Sequence, residues 1–341
     1  MLGGLTPREF LRRHWQKRPL YVRGAAPRFS GVLNAGQLFT LAARDDVESR
    51  IVRRQGRRYD TEHGPFAEVR VPRRDWTILV SGVNLHKAKA DALLRRFSFI
   101  PQARLDDVMV SYAMPGGGVG PHLDSYDVFL LQGAGRRRWT IARGGNRAVY
   151  TAHPGDLLYL PPGWRHDGVA LDACFTYSIG FRAPRGAELG AAFLDWLHER
   201  GLPEASYRDP KLLPTHTAAG IPREMVRFAD GVLRRIKWGR SDVAAFLGEY
   251  LSTPKPHVVF RAKRAQRPGG MVRLDLKTQL LYAGPRFYIN GESLTVPRRA
   301  APALRVLADA REAEGAALAR AGLGRLISDW QRRGYVFIEK R

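Results

Sequence analysis

Residues 111–139 read SYAMPGGGVGPHLDSYDVFLLQGAGRRRW, and residues 154–168 read PGDLLYLPPGWRHDG. Both stretches interrupt short apolar runs with glycine and proline. These interruptions are turn chemistry, because Gly supplies positive φ without a steric penalty, and Pro fixes φ while removing a ladder donor. Outward from this block the same texture holds from about residue 50 to residue 182. WTILVSGVNL, DDVMVSYAM, RRRWTIARG and CFTYSIGFR are further runs of this kind. Many short strands at close spacing, separated by turn signals, predict a sandwich or a barrel.

The pattern is that of a double-stranded β-helix, the jelly-roll variant used by cupins, within a chain that is mainly β with α. Before it, residues 6–18 place Phe10, Leu11, His14 and Trp15 at helical spacing, with Thr6 as N-cap and Pro7 at the first helical position. LYVRG follows as a short strand, and a second helix is expected over 35–43, after Asn34. Beyond residue 184 the helical period returns in GAELGAAFLDWLHERG and again in residues 222–251, both amphipathic, with loop between them. A basic linker, TPKPHVVFRAKRAQRPGG, leads into strands expected at 278–283 and 286–290, a turn at Asn290-Gly291 and the short strand SLTV. Helices over 301–311 and 315–333 and a final YVFIE strand complete a small winged-helix-like unit. The expected division is therefore 1–200 for the β domain, 201–253 for a helical region and 254–341 for the last unit.

Within GPHLDSYDVF, His122 and Asp124 stand two residues apart at the start of an apolar run. In a strand, residues i and i+2 project from one face, so both side chains reach one ion. A third ligand must come from a distant strand, and His166, delivered by the Pro-Pro-Gly turn, is the candidate. Two imidazoles and one carboxylate form a facial triad that leaves coordination positions open, the arrangement of non-haem iron(II) oxygen chemistry. An anionic cosubstrate then needs a fixed cation. Of Arg136, Arg137 and Arg138, alternation puts only Arg137 on the face of Trp139, and a planar guanidinium donates two parallel hydrogen bonds to a carboxylate. Three exposed arginines on an edge strand are the competing reading. Tyr126 shares the expected strand face of the His-x-Asp pair and reads either as a substrate-pocket residue or as a core tyrosine.

Composition bounds the rest. Hydrophobic residues make up 44% and charged residues 26%, ordinary for a globular protein. No apolar run approaches the ~18 residues of a membrane span, so no membrane association is expected. The amino terminus does not read as a secretory signal, and the single cysteine, Cys174, excludes an internal disulfide. A cytoplasmic location follows as the expectation. The 56 basic and 32 acidic residues leave a formal net charge of +24. Such a field suits contact with RNA, ribosomes or another acidic surface, and it equally suits an arginine-biased genome. Both readings stand.

The central block, together with YSIGFRAP at 177–184, resembles the JmjC-type bacterial ribosomal oxygenases, and among them the arginyl hydroxylases of large-subunit ribosomal protein sixteen. FLRRHWQKRPLYV at 10–22, HGPF at 63–66 and VNLH at 83–86 extend the resemblance, and YINGE and RGYVFIE carry it weakly to the end of the chain. The resemblance implies a JmjC catalytic domain, a helical region that forms a homodimer, and a winged-helix-like domain. It implies Fe(II) on His122, Asp124 and His166, 2-oxoglutarate on Arg137 assisted by the Ser111 hydroxyl, and hydroxylation of an arginine in the ribosomal protein. Two departures stand out: the second hydroxyl position of the family is Ala113 here, and the segment between Trp139 and Pro154 is short. Two rival functions are compatible with the same residues. One is a cupin enzyme with another metal acting on a small molecule. The other is a ligand sensor whose last domain binds DNA.

Overall fold

The structure is a computed structural model that describes residues 1–262, 264 and 269–339. Part of the basic linker, residues 263 and 265–268, lies outside the described residues, as do 340 and 341. The chain opens on helix α1 (Pro7–Arg13), capped by a reciprocal pair in which the Thr6 hydroxyl accepts from Glu9 N–H and the Glu9 carboxylate accepts from Thr6 N–H. It ends at His14, earlier than the apolar spacing suggests. Strand β1 (Leu20–Val22) and helix α2 (Ala35–Ala42), capped by Asn34 and Gln37 in the same manner, follow.

Strands β2 (Ser49–Gln55), β3 (Arg58–His63), β4 (Trp76–Val80), β5 (Leu105–Ala113), β6 (Val128–Gln132), β7 (Arg137–Arg143), β8 (Asn146–Ala152), β9 (Leu157–Leu160), β10 (Arg165–Ala170) and β11 (Cys174–Phe181) build the jelly roll. The larger sheet has eight strands in the order β1-β9-β6-β11-β5-β4-β2-β3, and the smaller runs β10-β7-β8. Central β11 pairs with β5 on one side and β6 on the other, and every one of its residues is buried. That explains why CFTYSIGF reads as a nearly continuous apolar run rather than an alternating one.

Two apolar layers flank the larger sheet. On its outer face Phe10, Phe97, Phe129, Tyr159 and Phe181 pack beneath α1 and α3 (Ala88–Arg95). Between the sheets Val128, Leu130, Trp139, Ile141, Leu158 and Leu160 form the interior of the jelly roll. The 3-10 turn at Val83–Leu85 ends the run WTILVSGVNL, read from sequence as strand, and α3 follows it within the stretch expected to be mainly β. WTILVSGVNL leaves the sheet at Val80, where Gly82 adopts a left-handed φ of 64° and turns the chain.

Helix α4 (Gly186–Glu199) packs against α6 (Arg240–Ser252) through Phe193, Trp196 and Phe246, while α5 (Arg223–Leu233) stands between them in sequence with no buried residue. The amphipathic stretch 222–251 is thus two helices rather than one, broken around Trp238-Gly239. The last unit has its own core, built on Leu304, Leu307, Ile327 and Trp330. It contains the hairpin strands β13 (Leu280–Ala283), β14 (Arg286–Ile289) and β15 (Glu292–Thr295), and a sheet in which β12 (Met271–Leu274) pairs with β16 (Glu312–Glu314) and β17 (Val336–Glu339). Its helices are α7 (Ala301–Ala310), α8 (Gly315–Arg320) and α9 (Gly324–Arg332). The single helix expected over 315–333 is divided because Gly322 takes a φ of 84° and ends α8.

Candidate metal centre

The glycine-rich turn after β5 is squeezed against its neighbours. A side chain at Gly117 would collide with the Trp76 carbonyl, and one at Gly118 with the Gly168 carbonyl. This close approach lays the following segment beside β10, the strand that carries His166. His122 and His166 then exchange both backbone hydrogen bonds, at 3.0 and 2.9 Å, as an isolated antiparallel bridge. The strand expected to begin at His122 begins only at Val128. Residues 123–127 are irregular, held by Gly163 N–H donating to the Asp124 carbonyl at 3.1 Å. The bridge and this tie, rather than strand alternation, bring His122 and Asp124 to one side.

One ligand atom from each of His122, Asp124 and His166 lies within 4.8 Å of the other two, and among the described residues no other group of three such side chains converges. His122 Nδ1 donates to the Gly120 carbonyl at 2.9 Å, and His166 Nδ1 to the Trp164 carbonyl at 3.0 Å. A carbonyl only accepts, so each Nδ1 carries a proton and Nε2 is the ring atom left to meet a ligand. His122 Nε2 lies 3.8 Å from Asp124 Oδ1, and His166 Nε2 lies 3.5 Å from Asp124 Oδ2. Burial holds the His166 imidazole below its ordinary pKa, which favours the neutral ligand form. Two imidazoles and a carboxylate are a donor set that fits a divalent transition metal.

The triad opens into a cavity of about 280 Å³ shared with Arg137, Trp139, Ser111 and Tyr126. Arg137 is the first residue of β7. It is 5% exposed and has Trp139 on the same buried face, while Arg136 and Arg138 point outward. Its Nε and Nη2 have no protein partner, and its guanidinium stands 5.7 Å from the Trp139 ring. Buried donors of this kind call for an anion. Ser111 on β5 lies opposite Thr176 on β11, whose hydroxyl donates to Gln132 Oε1 at 3.1 Å. Ala113 is packed against Ala170 and Cys174. Tyr126 is partly exposed at the cavity wall. Burial, with the carboxylates of Asp124, Asp107 and Asp106, pushes its hydroxyl up to about 12, so it stays a protonated donor.

Sequence reading missed further charged residues of this cavity: Glu48 just before β2, Arg50 on it, Asp106 and Asp107 on β5, and Lys255 after α6. Asp107 accepts from Gly82 N–H at 2.7 Å. Burial pushes its carboxyl above the usual carboxylate range, against the pull of Lys255. Burial would lower Lys255 in turn, but Asp107 and Asp106 outweigh it and hold the ammonium above its ordinary value. The signal for Asp107 was present, since it alternates with Met109 and Ser111 along β5 and so shares their inward face. Nothing local marks Lys255, which the fold brings from far along the chain.

The family model described as "JmjC domain" matches residues 92–153 and 149–189, and that described as "ROXA-like winged helix" matches 234–336. The chain is 35% identical over 331 residues to the ribosomal protein uL16 3-hydroxylase of Escherichia coli (strain K12), covering 88% of each. It belongs to the JmjC ribosomal oxygenase family. A probable ribosomal oxygenase of Haemophilus influenzae is 35% identical over 209 residues, 54% of this chain and 52% of that protein. Among solved structures, the Escherichia coli ribosomal oxygenase in complex with cobalt and 2-oxoglutarate superimposes with a TM-score of 0.83 at 33% identity over 99% of both chains. Its complex with cobalt and succinic acid gives 0.84. The family likeness thus spans the jelly roll, the helical region and the winged-helix unit.

Proposed function

We propose that this protein is an iron(II)- and 2-oxoglutarate-dependent oxygenase that hydroxylates an arginine of ribosomal protein uL16. The observation that carries the reading is the meeting, in one cavity, of the His122–Asp124–His166 triad with the unpartnered guanidinium of Arg137. The relative named as a uL16 3-hydroxylase, and the related structure holding cobalt with 2-oxoglutarate, support substrate and cosubstrate.

Iron(II) bound with 2-oxoglutarate supplies the oxidising power that inserts one oxygen atom of O2 into a C–H bond while the cosubstrate loses carbon dioxide to become succinate. The protein contributes the rest. His122 Nε2, His166 Nε2 and the Asp124 carboxylate would hold the metal, with both imidazoles fixed by their Nδ1 hydrogen bonds. Arg137 would clamp the distal carboxylate of 2-oxoglutarate, with the Ser111 hydroxyl on the same wall. Trp139, Val128 and Leu130 keep that end of the cavity apolar. Tyr126 offers a neutral O–H at the wall, and the Asp107 carboxyl, at ion-pair distance from Lys255, offers an acceptor. A buried carboxylate beside an oxidising centre suits a cationic side chain, and a guanidinium in particular.

We further propose that the chain works as a homodimer through its helical region, because α5 exposes Met225, Val226 and Leu233. The formal net charge of +24 supports contact with rRNA around the substrate. A ribosomal protein substrate makes the cytoplasm the compartment we propose, and no helix among the described residues is long and apolar enough to cross a membrane.

The test is anaerobic reconstitution with Fe(II), then admission of oxygen with 2-oxoglutarate and a uL16 fragment, read by mass spectrometry. The expected result is succinate formation that depends on the fragment and a gain of one oxygen atom on an arginine, both lost in Asp124→Ala. Iron bound by the wild type with neither product formed would overturn the assignment.

A further inference from the structure

Lys255 belongs to the strap that leaves α6 and leads to the last unit, and its ammonium is inside the catalytic cavity. Lys255 Nζ lies 3.3 Å from Asp106 Oδ1 and 3.4 Å from Asp107 Oδ2, and all three side chains line the space that holds the triad. The two carboxylates are not equivalent. Asp106 has a second cation, Arg182, with Nε at 3.7 Å. Asp107 is 8% exposed, and among the described residues Lys255 is the one cation within ion-pair distance of it. With Lys255 on Asp107 and Arg182 on Asp106, each carboxylate already has a cation at ion-pair distance. A substrate cation that is to pair with Asp107 therefore competes with Lys255 for it.

The strap is built so that the side chain moves while the backbone stays. Pro254 and Pro256 flank Lys255, and a residue between two prolines is held extended. Thr253 anchors the start, donating its N–H and its hydroxyl to the Glu249 carbonyl at 3.0 and 2.8 Å. Val258 N–H donates to the Lys255 carbonyl at 2.9 Å. The lysine stem itself has four rotatable bonds and loses rotamer freedom while its ammonium is pinned. A guanidinium brings two parallel donors to one carboxylate, which an ammonium does not. A substrate ammonium would make the same point-charge contact as Lys255 and, unlike Lys255, would carry the cost of association.

We propose that Lys255 is a specificity-determining residue: its ammonium is the resident occupant of the Asp107 site, displaced by a substrate guanidinium but not by a substrate ammonium. The inference rests on the arginine-hydroxylase reading above. Lys255 also explains how a buried carboxylate is kept next to the metal site before substrate arrives, since an isolated buried charge is costly.

The experiment uses the full chain loaded with manganese(II) and 2-oxoglutarate. A uL16 fragment carrying the target arginine, and its arginine-to-lysine counterpart, are titrated by calorimetry into wild type, Lys255→Met and Lys255→Arg. The arginine fragment should bind about fivefold more tightly to Lys255→Met than to wild type, and more weakly to Lys255→Arg. The preference for arginine over lysine should shrink in Lys255→Met, and with iron the change should appear in KM rather than kcat. A strap of purely structural importance would not produce that order across the three proteins. Binding to folded Lys255→Met that is equal to or weaker than wild type, or an unchanged arginine-to-lysine preference, overturns the inference. Should Lys255→Met fail to fold, Lys255→Arg decides: unchanged affinity for the arginine fragment overturns it equally. Wild type that neither binds nor hydroxylates the fragment overturns the functional reading instead, and this inference with it.

Discussion

Arg137 holds a full positive charge in a site that is 5% exposed, with two guanidinium nitrogens lacking a protein partner. Its contact with Trp139, worth roughly 0.5–1 kcal/mol, offsets only part of the cost of taking that charge out of water. We propose that a residue kept in such a position serves a ligand rather than the fold. Arg137→Met fills a similar volume without charge, so it should raise stability by about 1 kcal/mol. It should also lose the rise in melting temperature that 2-oxoglutarate gives the metal-loaded wild type. Thermal unfolding with and without the cosubstrate measures both. A less stable Met variant, or one that 2-oxoglutarate still stabilises fully, would argue that Arg137 is a structural residue. The triad and Arg137 were legible because each follows a turn signal or a period-two face. Asp107 was legible in principle from its alternation with Ser111. Lys255 was not, because an ion pair between residues 107 and 255 leaves no trace in either local sequence.

At the level of elements, alternation and turn chemistry located the central strands of the jelly roll but not β2, β3, β8, β12 or β16, and they placed strand ends badly. His122 to Asp127 looked like the start of β6, yet Gly118 and the bridge to His166 hold the segment off the ladder. The stretches 222–251 and 315–333 looked continuous because amphipathic spacing survives a break, and in the second Gly322, with a φ of 84°, does not continue the helix. The 3-10 turn ending in His86 shows what periodicity overlooks. Its imidazole is half-buried near Arg44 and Lys277, and burial first, then those two cations, lowers its pKa to about 4. A histidine whose folded pKa lies below the unfolded value binds fewer protons folded than unfolded between the two. Stability is therefore fully present above the unfolded value near 6.5 and falls as pH drops from there toward 4. With allowance for solvent screening, the loss from this group between pH 7 and pH 5 is about 1 kcal/mol. Asp46, held low by its hydrogen bonds from Arg44 and then by burial-opposed charge, loses its contribution only at more acid pH and does not mask the effect. His86→Gln should lose less stability than wild type over that interval in urea titrations. Parallel losses in the two proteins would mean that the burial of His86 carries no linkage.

Across the whole molecule, the apolar surface is divided unevenly. The jelly roll and the winged-helix unit each close over a core of their own, while α5 does not. Met225, Phe228 and Val232 recur at helical spacing on one face of α5, and Arg227, Asp230 and Arg234 on another. Of these apolar residues none is buried, and Val226, Leu233 and Trp238 are 56%, 64% and 59% exposed. An 11-residue helix is too short to persist in water by propensity alone, since isolated helices below ~12–15 residues are marginal. It needs an apolar partner, and a second copy of the same helical region is the partner we propose. In a two-fold arrangement the same patch serves both sides, which suits a mixed apolar and charged surface better than an unrelated protein would. Light scattering coupled to size exclusion should then give the wild type twice the protomer mass at micromolar concentration. Met225→Glu combined with Val226→Glu places two carboxylates in that contact and should yield the protomer mass, with the iron-binding jelly roll still folded. A wild type that runs at the protomer mass, or a double variant that stays at twice it, would remove α5 from the assembly and leave its exposed face without a role.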